Sequence, residues 1–264
     1  MAEYPSSFFQ LQDGLFMGNA PARGPWSAEH CHAGPVTGLL ARSVEQLVGM
    51  ERMLVRLTVD FIRPLPMQGF TLQTQLTRDG RRTATATATL IDQNERVCAT
   101  ATSMHILKNE IGEVKTAVVP KLPFKNLTFS SFPIKESLHD QPMFSHFAEV
   151  AYPEGEDSTI GPTTLWMKTL PLLADEAPTF FQRLCPLADC GNGFSRNANL
   201  SEMGFVNTDL TILAHRQTTA EWLASSAISH WHSHGIGMAQ AVIQDEDGPV
   251  ATALQSLILT PVNN

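Results

Sequence analysis

Residues 81–91, RRTATATATLI, alternate Thr and Ala, and a period of two belongs to a β-strand rather than a helix. One face of that strand carries only small side chains, so its packing partner lies close. Stretches of the same kind flank it: VRLTVDFIRPLP (55–66) and GFTLQTQLTRDG (69–80) before it, ERVCATATSMHIL (95–107) after it. The turn signals RDGR and DQNE join them, which predicts an antiparallel meander. Upstream, AGPVTGLLARSVEQLVG (33–49) spaces Val36, Leu39, Leu40, Val44, Leu47 and Val48 for one face of a helix, with Pro35 near its start and Gly49 at its end. A helix followed by long strands predicts a sheet wrapped around that helix.

The pattern recurs. Leu57–Leu107 lies on Leu210–Thr260 without a gap, matching Arg63 with Arg216, Ala88 with Ala241, Asp92 with Asp245 and Val97 with Val250. The turns fall in register too, DQNE on DEDG, so hairpin lengths are shared. A second helix candidate, APTFFQRLCPLADCG (177–191), precedes the second set of strands. Two copies of one helix-plus-sheet unit are expected, over 1–107 and 141–264. Between them 108–140 carries Pro120, Pro123, Pro133, Lys108, Lys115, Lys121, Lys125 and Lys135, and reads as a solvated linker.

Charge narrows the function. A net charge of −8 argues against nucleic acid or an anionic membrane surface as partner, since both need a basic face. An apolar run of the roughly 20 residues that span a bilayer is absent, and the start MAEYPSSFFQ does not read as a secretion signal. The four cysteines, Cys31, Cys98, Cys185 and Cys190, have no C-x-x-C spacing, so reduced thiols in a cytoplasm are the simplest expectation.

Several familiar sites are excluded by motif. GFSRN (193–197) lacks the second glycine of a nucleophile elbow; no H-E-x-x-H or G-x-x-x-x-G-K occurs, and GNGFSR and GIGMAQ lack the third glycine of a dinucleotide fingerprint. HWHSH (230–234) could place His230, His232 and His234 on one strand face, but the repeat puts them near a hairpin tip, where a solvated turn is expected. HCH (30–32) precedes a helix without a second cluster to complete a metal site, and is expected to cap or pack.

Asp189 is different in kind. In CPLADCGNGF it ends an otherwise apolar helical run, where the macrodipole disfavours a negative charge and apolar neighbours desolvate it. Function is a common reason for keeping such a group, and acceptance of hydrogen bonds from the following turn is the alternative. In VATALQSLIL (250–259) Gln255 shares a face with Ala251, Ala253, Leu257 and Leu259, so its amide is expected to be buried and partnered. In FVNTDLTILAHR (205–216) Asn207, Asp209 and Thr211 share one face, and Thr208, Leu210 and Ile212 the other. An Asp, an Asn and a Gln could meet around one water, or bond to neighbouring backbone.

Taken together, GLFMGN (14–19), AGPVTGLLARS, LTVDFIRP, TDLTILAHR, EWL and ALQSL resemble the acyl-CoA thioesterase II family over nearly the whole chain. The resemblance implies an α+β double hotdog: two tandem units, each an antiparallel sheet wrapped around a central helix. It implies hydrolysis of acyl-CoA to the free acid and coenzyme A without a cofactor, and a homo-oligomer. In that family an Asp ending the second hotdog helix, a Ser or Thr on the next strand and a Gln on the last strand hold the attacking water. These positions fall on Asp189, Asn207 and Gln255. Asn207 departs from the family's hydroxyl; Thr208 could replace it after a one-residue bulge, since on an unbulged strand it faces the other way. Two alternatives are a noncatalytic acyl-CoA binder, made possible by Asn207, and a hotdog enoyl-CoA hydratase, which would need an Asp/His pair after the first helix.

Overall fold

The computed structural model describes residues 5–134, 137–156 and 160–262; Lys135 of the predicted linker and the first four residues lie outside them. Two hairpin strands, β1 (Phe9–Gln12) and β2 (Leu15–Gly18), lead into α1 (Ala33–Val48). The predicted strands follow as β3 (Arg52–Phe61), β4 (Phe70–Asp79), β5 (Thr83–Asp92) and β6 (Val97–Leu107). A short strand β7 (Thr128–Ser130) then pairs with β8 (Glu149–Tyr152), and β9 (Thr163–Lys168) continues the sheet. The second helical stretch is α2 (Phe180–Asp189) and the single turn α3 (Gly191–Phe194). Five strands close the chain: β10 (Met203–Asn207), β11 (Asp209–Ala214), β12 (Leu223–His232), β13 (Ile236–Asp245) and β14 (Gly248–Pro261).

Among the described residues these strands form one sheet in the order β1-β2-β4-β5-β6-β3-β11-β14-β13-β12-β9-β8-β7, with β10 also on β14. The meander needs one correction, because β3 pairs with β6 and not with β4. The proline-rich stretch 63–68 carries the chain away from β3, and the freed edge of β3 meets β11. The inner order β4-β5-β6-β3 is repeated as β12-β13-β14-β11. At the seam, Thr58 lies opposite its repeat equivalent Thr211, and their hydroxyls are hydrogen-bonded at 3.1 Å. Equivalent residues facing each other across an antiparallel pair mark a local twofold axis between the units.

The Thr/Ala alternation does what its period requires. Ala84, Ala86, Ala88 and Leu90 are buried while the threonines between them stay partly exposed, and α1 packs on this strand. Val36, Leu39, Leu40 and Val44 of α1 are fully buried, whereas Leu47 lies at the exposed end of the helix. Burying aliphatic side chains of this size contributes about 1.5–3 kcal/mol each.

The helices α1 and α2 cross antiparallel and close. A Cβ on Gly34 would lie 2.8 Å from the Pro186 Cα, so glycine is what allows the start of α1 to touch the end of α2. At the other end the buried Glu45 of α1 accepts hydrogen bonds from Thr179 Oγ1, at 2.9 Å, and Gln182 Nε2, at 2.8 Å. Thr179 is the N-cap of α2, so each helix sets a carboxylate of its own beside the other's N-terminus. Burial pushes the Glu45 carboxyl up, and its bonds to Gln182 and Thr179 oppose that.

Candidate active site

The second of these carboxylates is Asp189, and it lines a cavity that Glu45 does not reach. Local sequence explains its position. Thr179 starts α2 by accepting from Gln182 N, and the helix ends at Cys190, after which the glycine-flanked turn Gly191–Phe194 redirects the chain. Asp189 is thus held at the end of α2 and, through Gly34, against the first turn of α1. The positive end of the α1 macrodipole faces it and offsets the unfavourable end of α2.

Three of the four sequence-predicted residues come together here. Asn207 Nδ2 donates to Asp189 Oδ1 at 2.8 Å. Gln255 Nε2 donates to the Asp189 backbone carbonyl at 3.0 Å and to Oδ1 at 3.3 Å, while its Oε1 accepts from Asn192 N at 3.2 Å. Gln255 is buried on the inward face of β14, as its alternation predicts. Its amide is taken up by Asp189 and Asn192, and it stands behind the carboxylate rather than among the residues lining the cavity. Thr208 stands apart: it lines the cavity, but its hydroxyl bonds Ser256 O at 3.5 Å.

The strand faces expected for 205–216 need correcting, and the reason is local. Phe205 and Asn207 point inward, and so do Leu210 and Ile212, which an unbroken strand would place on the opposite face. One extra residue between β10 and β11 changes the parity. The ladder is repaired by side chain and backbone together: Thr208 N donates to Ser256 O at 3.0 Å, and Asp209 Oδ1 accepts from Ser256 N at 2.6 Å. The irregularity leaves Asn207 facing Asp189 and commits Asp209 to Ser256, whose N–H and hydroxyl both donate to it.

Sequence reasoning missed His32 as part of this site. It occupies the N-cap position of α1, and its Nδ1 lies 3.2 Å from Gly34 N and 3.1 Å from Asp189 Oδ2. Its ring stacks on Phe144 with centroids 4.3 Å apart. Capping was the expectation for HCH; the second contact joins residues far apart in the chain and had no local signal. Phe132 and Ile134 were missed as well, because both fall within 108–140, expected to be a solvated linker; the end of that stretch instead supplies β7 and buries these two side chains. Ile134 packs on Gly193, where a Cβ would come within 2.9 Å of its Cδ1. His232 and His234 lie at the exposed β12–β13 hairpin, their rings 4.5 Å apart.

The cavity has a volume of about 470 Å³ and is walled by Trp26, Phe61, Leu65, Phe132, Ile134 and Phe205. Trp26 meets Phe205 edge-on at 6.3 Å. His32, Asp189 and Asn207 supply polar groups, and Arg63 the positive charge of the lining. Cys190 beside Asp189 is kept a neutral thiol, since burial and the carboxylate both push it well up. An apolar chamber with a fixed carboxylate can take up an acyl group and activate water at its carbonyl.

A sheet that twice wraps a helix defines the double-hotdog class. Solved structures agree on this fold. A candidate thioesterase from Novosphingobium aromaticivorans superposes with a TM-score of 0.75 at 20% identity, covering 98% of this chain and 100% of that one. A hot dog protein of unknown function from Alicyclobacillus acidocaldarius gives 0.68 at 18%, over 96% and 95%. The acyl-CoA thioesterase II TesB2 of Mycobacterium marinum gives 0.62 at 18%, over 96% and 94%. Two family models match, the acyl-CoA thioesterase N-terminal domain over residues 22–106 and the acyl-CoA thioesterase C-terminal domain over residues 125–259. The chain belongs to the acyl-CoA thioesterase family, whose reaction is thioester hydrolysis. No curated protein sequence matches it.

Proposed function

We propose that the chain hydrolyses acyl-CoA thioesters to free acid and coenzyme A with a water activated by Asp189 and a carboxylate geometry maintained by Gln255 and Asn207. The observation that carries this reading is a buried carboxylate lining a mainly apolar cavity, with Oδ1 already held by Asn207 and Gln255. In the step, the water oxygen bonds to the thioester carbon as the carbonyl π pair moves onto oxygen, and the water's proton passes to Asp189. Collapse of that oxyanion expels the sulfur with the C–S pair, and Asp189 returns the proton to it. General-base assistance of this kind is worth about 10²- to 10⁴-fold.

Asn207 suits this role without a hydroxyl, because its amide N–H fixes the same carboxylate. Asp189→Asn is the direct test. Thiol release across short, medium, long and aromatic acyl-CoAs should fall by about 10²- to 10⁴-fold, with the circular dichroism spectrum unchanged. Undiminished release by the folded variant would refute the assignment.

A further inference from the structure

The contact between His32 and Asp189 has a stringent requirement. Nδ1 of an imidazole offers one in-plane position, which holds either a lone pair or a proton. With a lone pair it satisfies the Gly34 N–H at 3.2 Å but sets that lone pair against a carboxylate oxygen at 3.1 Å. With a proton it donates to Oδ2 and gives up the Gly34 bond. The side chains of His32 and Asp189 are 15% and 4% exposed, so water does little to screen the repulsive alternative.

Counting acceptor positions on Asp189 points the same way. An ionised carboxylate offers about four. Oδ1 takes Asn207 and Gln255, and Oδ2 takes the imidazole, which leaves one on Oδ2 for a water in the cavity. The ring is itself fixed by its stack on Phe144 and by its place at the start of α1.

We propose that His32 is a positioning residue for the reaction: its Nδ1–H donates to Asp189 Oδ2 and turns the remaining acceptor position toward the attacking water. This rests on the hydrolytic role given to Asp189 above. The first unit of the fold thereby supplies, from the N-cap of its helix, a part of a site whose carboxylate, Asn and Gln all come from the second. The same donor keeps the carboxylate from turning to accept elsewhere as negative charge builds on the substrate.

The test separates the contact from the reaction. In the full-length protein, imidazole ¹⁵N resonances should show Nδ1 of His32 protonated; in Asp189→Asn the proton should move to Nε2, because Gly34 N–H then claims the Nδ1 lone pair. An unprotonated Nδ1 in the wild type overturns the proposal whether or not the protein turns over acyl-CoA. For activity, His32→Phe keeps the ring on Phe144 and loses the donor, and kcat should fall by about 10- to 100-fold with KM within about twofold, the range for losing a charge-assisted hydrogen bond. His32→Asn returns an amide N–H to the Nδ1 position and should recover most of that loss. Unchanged kcat in His32→Phe, or no recovery in His32→Asn, also overturns it. Loss of turnover in no variant, Asp189→Asn included, refutes the hydrolytic assignment itself, and the resonance measurement then decides the contact alone.

Discussion

His105 on β6 is fully buried, with Nε2 3.0 Å from Ser103 Oγ, and it shows how one residue sets a pH response. Burial, helped by the charge of Arg52, pushes its imidazole from the ordinary 6.5 down to about 4. Between those values the unfolded chain binds a proton that the native chain does not, so unfolding is favoured as pH falls. The contribution of neutral His105 is complete above about 6.5 and is lost progressively toward about 4. His105→Gln should therefore flatten the dependence of the urea midpoint on pH across that window. Identical slopes in variant and wild type would sink the argument. At this scale the sequence was informative where a polar residue broke an apolar period: Asp189 and Gln255 stand out in PLAD and TALQSL because leucine or alanine is expected there. His32 did not stand out, since its meaning lies in a contact with Asp189 that only the folded chain creates.

At the scale of elements, the close crossing of α1 and α2 decides where the site can be. In an ordinary helix interior alanine is favoured over glycine by about 0.5–1 kcal/mol. At Gly34 the added methyl would lie 2.8 Å from Pro186 Cα and 3.0 Å from its carbonyl oxygen, both backbone atoms that move only with the helix. Overpacking of this kind costs about 1–3 kcal/mol, so the clash wins and Gly34→Ala should be destabilising. Because the same methyl is 3.1 Å from Asp189 Cβ, the displaced helix also alters the His32–Asp189 contact. A chemical denaturation midpoint at or above that of the wild type would show that the crossing is looser than described. The helices and long strands were legible from period and turn signals. The outcome of the β10–β11 irregularity was not: a one-residue bulge was weighed as a way to bring Thr208 to the site, whereas here Asn207 stays on the carboxylate and it is Leu210 and Ile212 that change face.

Over the whole molecule, the repeat places two carboxylates at corresponding helix contacts and gives a cavity to one of them. Glu45 is sealed by Thr179 and Gln182, while Asp189 opens on the apolar chamber. That chamber adjoins a more polar cavity of about 490 Å³ lined by Gln68, Gln93, Asn94 and Arg96, and His30, Arg63 and Pro64 line both. An acyl-CoA whose carbonyl sits at Asp189 has its apolar tail satisfied by the first chamber, so its phosphates are best placed past Arg63. Arg96 is a weaker candidate, because its guanidinium is paired with Asp92 at 2.7 Å. One exposed ion pair is worth up to about 1 kcal/mol, which is roughly fivefold in binding. Arg63→Gln should accordingly raise KM for acyl-CoA by about fivefold, leave kcat near its wild-type value, and leave the hydrolysis of the matching acyl-N-acetylcysteamine thioester, which has no phosphate, unchanged. A loss shared by both substrates would place Arg63 at the acyl group instead, and no loss on either would send the phosphates out of the cavity by another route.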